Sequence, residues 1–178
     1  MRGGRLSQNL EIKARCADLA EVRRRVEALG ATRVARELQV DTYFVTRAGR
    51  LKLRESSLGR AELIPYRRPD APGPRRSEYV VIPLPEPALT RALFSALLGV
   101  HRIVRKEREV FLWENVRIHL DRVDVLGTFL ELEAVFDGSA EAEPAERRKL
   151  ADLLAALGVG DADLVAVSYE GLADEERR

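Results

Sequence analysis

The sequence predicts an α+β domain in which about eight mostly antiparallel strands curl or close into a barrel, with three or four helices packed outside. Three observations lead there. The chain has 178 residues, about one domain's worth, and its 46% apolar and 33% charged residues suffice for both a core and a solvated surface. Segment after segment alternates apolar and polar residues with the period of a strand. Short turns join most of these segments, which favours antiparallel neighbours.

The first strand is NLEIKAR, residues 9–15, with Leu10, Ile12 and Ala14 on one face and Asn9, Glu11, Lys13 and Arg15 on the other. A helix follows, capped by Asp18, striped by Leu19, Val22, Val26 and Leu29, and stopped at Gly30. Residues 33–45 read as a long strand turned at Ala48-Gly49 into a second, residues 50–55. Strands are expected over 61–68 and 77–82, joined by PDAPGPRR, whose prolines and glycine exclude regular structure. Pro85 and Pro87 open a helix with Leu89, Leu93, Leu97 and Leu98 on one side and Gly99 at its end. Three strands, 101–113, 116–125 and 128–136, turn at Glu114-Asn115 and Leu126-Gly127, and a last helix spans about 144–157. The whole of 1–178 is expected to form one domain, with residues 1–7 and 173–178 as frayed termini.

Several function classes lose their evidence. Thirty basic against 29 acidic residues leave a net charge of +1, which offers no global field for nucleic acid or an anionic membrane. Cys16 is the single cysteine, so no intramolecular disulfide or Cys-based zinc site is available, and a reducing cytoplasm is the expected compartment. No apolar run reaches the length of a membrane span, and no P-loop, Rossmann, nucleophile-elbow or zincin string occurs. A homodimer stays open.

The polar strand faces are biased. Arg50, Lys52 and Arg54 alternate with Leu51 and Leu53; Lys106 pairs with Arg108, Arg117 with His119 and Asp121, and Glu131 with Glu133. Like charges two residues apart repel unless something neutralises them. If these faces close inward, the interior collects Lys13, Lys52, Arg54, Arg68, Lys106, Arg108 and Arg117 against Glu11, Asp121, Glu131 and Glu133. A dry interior would not tolerate such charges. A wet tunnel holding a polyphosphate and a divalent metal would, because guanidinium and ammonium groups match phosphate and carboxylates match Mg²⁺ or Mn²⁺.

The chain resembles the CYTH superfamily, or triphosphate tunnel metalloenzymes, which includes class IV adenylate cyclases and thiamine triphosphatases. NLEIK, QVDTYF with GRLKLRE, LIPYRRPD, the KER at 106–108, VRIHLDRVDVLGTFLELE and SYEGL carry the likeness over nearly the whole chain. The resemblance implies an eight-stranded antiparallel β-barrel tunnel. Glu11 and Lys13 look like the second Glu and the Lys of its ExExK signature and would be the catalytic pair. Lys13, Lys52, Arg54, Arg68, Lys106, Arg108 and Arg117 resemble its phosphate-binding residues, and Glu11, Asp121, Glu131 and Glu133 its metal-binding acids. Asn9 stands in the first Glu position, a change expected to weaken a second metal more than a first.

The expected function is a Mg²⁺- or Mn²⁺-dependent phosphohydrolase acting on tripolyphosphate or on a nucleoside or thiamine triphosphate. One alternative is a class IV-like adenylate cyclase making cyclic AMP; another is a non-catalytic module that binds polyphosphate or nucleotides.

Overall fold

The computed structural model describes residues 7–71 and 73–175. Nine strands alternate with four α-helices in the order β1 (Ser7–Arg15), α1 (Leu19–Ala28), β2 (Thr32–Phe44), β3 (Arg50–Ser56), β4 (Ala61–Arg67), β5 (Arg75–Tyr79), β6 (Ile82–Pro83), α2 (Pro87–Leu98), β7 (Val100–Trp113), β8 (Val116–Val123), β9 (Gly127–Val135), α3 (Glu143–Leu157) and α4 (Tyr169–Glu175). Every strand pairing is antiparallel. The order β3-β2-β7-β8-β9-β1-β5-β4 closes through β3 and β4 into an eight-stranded barrel, with the two-residue β6 added beside β4. The expected tunnel architecture is therefore present. The one strand foreseen at 77–82 is broken after Tyr79 into β5 and β6, so β4 pairs first with one and then with the other.

Alternation decides the layers. In β1, Leu10, Ile12 and Ala14 face out while Asn9, Glu11 and Lys13 face in, and the neighbouring ladders put Glu11 beside Glu133 and Lys13 beside Glu131. The main apolar core consequently lies outside the barrel. Leu10, Ile12, Phe111, Ile118, Leu120, Leu130 and Leu132 meet Leu19, Val22 and Val26 of α1 and Leu150, Leu153, Leu154 and Leu157 of α3 there. Asp18 caps α1 by accepting from the amides of Ala20 and Glu21. A second cluster, with Tyr43, Val104, Val123, Phe129, Tyr169 and Leu172, packs α4 against one end of the barrel.

Three expectations change. Residues 173–175 continue α4 rather than fraying, and Ser7 already belongs to β1; positions 1–6 and 176–178 lie outside the described residues. The strand expected to reach Val125 ends at Val123, because the chain must reverse into β9; Val125 adopts φ 69° in that turn and Gly127 φ 96°. Finally, α2 does not bury its leucine stripe: Phe94, edge-on to Phe44 at 5.6 Å, faces the barrel, and Leu89, Leu93 and Leu97 face away.

Candidate active site

The inward faces enclose one cavity of about 420 Å³. All seven cations expected inside line it, and Arg60 joins them; Glu11, Glu37, Glu62, Glu131 and Glu133 supply the lining carboxylates, with His119 among them. Each strand delivers its charges by alternation: Lys52 and Arg54 from β3, Lys106 and Arg108 from β7, Arg117 and His119 from β8, Glu131 and Glu133 from β9. Arg68 enters from just past β4.

The charges fall into two connected networks. Fully buried Asp41 of β2 accepts from Arg54 through both oxygens at 2.7 and 2.9 Å and draws in Lys52 at 3.3 Å and Lys106 at 3.5 Å. Across the cavity Glu131 accepts from Lys13 at 2.6 Å and from Arg108 at 2.6 Å. Arg108 also grips Asp121 at 2.7 and 2.5 Å, and the Tyr169 hydroxyl donates to the same carboxylate at 2.6 Å. Tyr169 thus joins α4 to the site, with the Lys13 ammonium 3.9 Å from its ring centroid.

This crowding shapes protonation. Burial opposes ionisation of Asp41, but Arg54, Lys52 and Lys106 hold it well below the usual carboxylate range. Glu131 is likewise held low against burial by Lys13 and Arg108. Lys106 is pushed down to about 7 by burial and by Arg108, with Asp41 only partly offsetting them. Burial and then Arg54 lower Lys52 as well. Burial is the larger cause for both lysines, and neighbouring guanidinium groups add to it. Buried Nε and Nη2 of Arg68 lack hydrogen-bond partners while its Nη1 donates to Glu11.

His119, Glu131 and Glu133 each offer a ligand atom, all within 4.8 Å of one another. Two carboxylates and an imidazole suit a divalent cation such as Mn²⁺, and the carboxylates alone suit Mg²⁺. The four acids expected to hold metal sit in different surroundings. Asp121 does not line the cavity; Arg108 and Tyr169 occupy its oxygens, so it holds those two side chains in place. Glu11 does line it, opposite Glu133 across the ladder, but ion-pairs with Arg68 and stands outside the close triad. His119, rather than Glu11 or Asp121, stands within reach of Glu131 and Glu133 as a candidate third donor.

Asp41 and Tyr169 were not among the expected site residues, although QVDTYF and SYEGL contain them. Asp41 had a signal: it shares a face with Gln39 and Tyr43 in QVDTYF, and that strand pairs with the one bearing Lys52 and Arg54. Tyr169 had its place in SYEGL as a signal, but its contact with Asp121 follows from where α4 docks.

These features meet in a known family. The CYTH domain model matches residues 7–169. The chain belongs to the CYTH family. Among solved structures, PH1012 from Pyrococcus horikoshii matches this CYTH chain with TM-score 0.82 at 25% identity, covering 92% of this chain and 98% of that one. A Vibrio parahaemolyticus protein, described as a candidate adenylate cyclase, matches with TM-score 0.79 at 20% identity over 94% and 98% of the two chains. A Hippeastrum candidate adenylyl cyclase with a dominant triphosphatase activity matches with TM-score 0.66 at 17% identity over 94% and 96%. The last two are likenesses of fold. No curated protein matches the chain significantly.

Proposed function

We propose that this CYTH protein is a divalent-metal-dependent phosphohydrolase whose substrate, tripolyphosphate or an organic triphosphate, lies in the cavity. One observation carries the reading: Lys13, Lys52, Arg54, Arg68, Lys106 and Arg108 converge on the same cavity whose wall holds the His119, Glu131 and Glu133 ligand atoms. The family and the triphosphatase activity of the Hippeastrum relative support it.

Arg54 and Arg108 are oriented before any ligand arrives, because Asp41 and Asp121 fix their guanidinium planes from behind. Fixed donors lose little entropy on meeting phosphate oxygens and stabilise the charge that spreads over a transferring phosphoryl group. Lys52 and Lys106 add point charges from the β3 and β7 walls. A metal held by His119, Glu131 and Glu133 would supply Lewis-acid neutralisation of the phosphate oxygens. Glu11 of β1 ion-pairs with Arg68 and holds that guanidinium at the cavity wall.

The test is product analysis of tripolyphosphate, ATP and thiamine triphosphate with Mg²⁺, Mn²⁺ or EDTA. Orthophosphate released only with metal is the expected result, and Glu131→Ala or Glu133→Ala should abolish it. Cyclic AMP and pyrophosphate from ATP would replace the reading with a cyclase. Tight binding without turnover on any of the three would replace it with a binding module, in keeping with neutral Asn9 in the signature position.

A further inference from the structure

A second cavity, of about 290 Å³, lies between the end of β2, the start of β3 and the segment leading into α4. It is separate from the barrel's interior cavity, although Tyr43 and Ser168 line both. Glu170, 5% exposed, accepts Arg50 Nε on Oε1 at 2.8 Å, while its Oε2 has no hydrogen-bond partner. The hydroxyl of Ser168, 4% exposed, has none either. A buried carboxylate oxygen is costly unless a donor reaches it, so the wall of this cavity is built for something that donates.

Charge narrows the donor. The charged side chains on the wall are Asp70, Glu170 and Arg50, with the His101 imidazole beside them. Arg50 spends all three of its nitrogens inside the protein: Nε on Glu170, Nη1 on the Arg68 carbonyl at 3.2 Å, and Nη2 on Asp70. Its guanidinium is therefore already committed, and two carboxylates against one guanidinium favour a cation over an anion. A divalent metal is the poorer match, because it needs about six oxygen ligands. The close set of three ligating side chains found among the described residues lies in the other cavity. Phe44, Val45, Leu51 and Val167 make the rest of the wall apolar, which suits a short hydrocarbon body, and the space far exceeds what one water fills.

We propose that this cavity binds a small organic amine, whose primary ammonium group donates to Glu170 Oε2 and Ser168 Oγ and whose hydrocarbon chain lies against Phe44, Val45 and Val167. An ammonium carries three donors and no acceptor, so two of them meet the unpartnered oxygens and the third stays with water. The bond to Glu170 is charge-assisted and the bond to Ser168 sets the direction of the group. The proposal does not depend on what the larger cavity binds.

Titration of the ¹⁵N-labelled full chain with butylammonium, followed by ¹H–¹⁵N NMR, tests it. The amide signals of Gly49 and Gly171, which line this cavity and not the larger one, should move to a plateau. 1-Butanol, with the same chain and no charge, should move neither to a plateau. Glu170→Gln should weaken butylammonium binding about 10- to 100-fold, and Ser168→Ala about 2- to 10-fold. Ser168→Ala removes only a hydroxyl without a partner, so it reads the site even if the Glu170 variant unfolds. Shifts that never saturate, equal saturation with 1-butanol, an affinity unchanged in Ser168→Ala and in folded Glu170→Gln, or the same two signals saturating with Mg²⁺ alone would overturn the proposal.

Discussion

Asp121 shows how one side chain's surroundings decide its work. Its spacing from Arg117 and His119 along β8 places it with the site residues, and that much is legible in the sequence. The facing strand is not: β7 brings Arg108 directly opposite, and α4 brings the Tyr169 hydroxyl, so the carboxylate is consumed in holding other groups. Asp121→Asn should therefore cost stability, about 3 kcal/mol for a broken buried pair. That corresponds to a melting midpoint lower by about 6–12 °C in a chain of this size. A scan showing an unchanged midpoint together with lost metal binding would make Asp121 a ligand instead. Lys106 gives a second residue-scale prediction. Free, it loses its proton near pH 7; a phosphate chain beside it favours the charged form, so binding in metal-free buffer should take up a proton above pH 7 and weaken as pH rises. Titrations in buffers of different ionisation enthalpy measure that uptake, and Lys106→Met should remove it. Equal uptake in the two proteins would assign the proton elsewhere.

Among elements, legibility follows length and periodicity. The strands and α1, α2 and α3 show in the sequence because 9 to 15 residues of alternation or helical stripe leave little ambiguity for most of them. The seven-residue α4 carries an internal glycine and no helical stripe long enough to recognise, and its docking through Tyr169 and Leu172 is a tertiary fact. The β8–β9 turn misleads for another reason: valine favours a strand, yet Val125 is forced to φ 69° with its side chain 96% exposed. Left-handed backbone costs a β-branched residue about 1–2 kcal/mol, and here no packing offsets it. Val125→Gly should raise the melting midpoint by about 2–4 °C, one kcal/mol in a chain of this length. An unchanged or lower midpoint would mean that the turn relaxes without strain.

At the scale of the whole molecule, this barrel reverses the usual placement of apolar and charged residues. Leu10, Ile12, Leu130 and Leu132 make their core outside with α1 and α3, and the interior is reserved for ions. Alternation revealed that inversion, since Lys13, Lys52 and Glu131 fall on faces opposite the leucines, and closure follows because so many like charges need partners across a ring. Which helix covers which outer face is not written in any one segment, and so the bare face of α2 had to be seen. The cavity's cations exceed its carboxylates, and burial with neighbouring guanidinium groups depresses two of its lysines. Isothermal titration of tripolyphosphate into the metal-free protein tests this most directly. Wild type should bind one chain with an affinity that falls steeply with salt, and Lys52→Met should bind about 10- to 100-fold more weakly for the loss of one charge-assisted contact. Equal affinity in both proteins, or no binding to either, would contradict a triphosphate site inside the barrel.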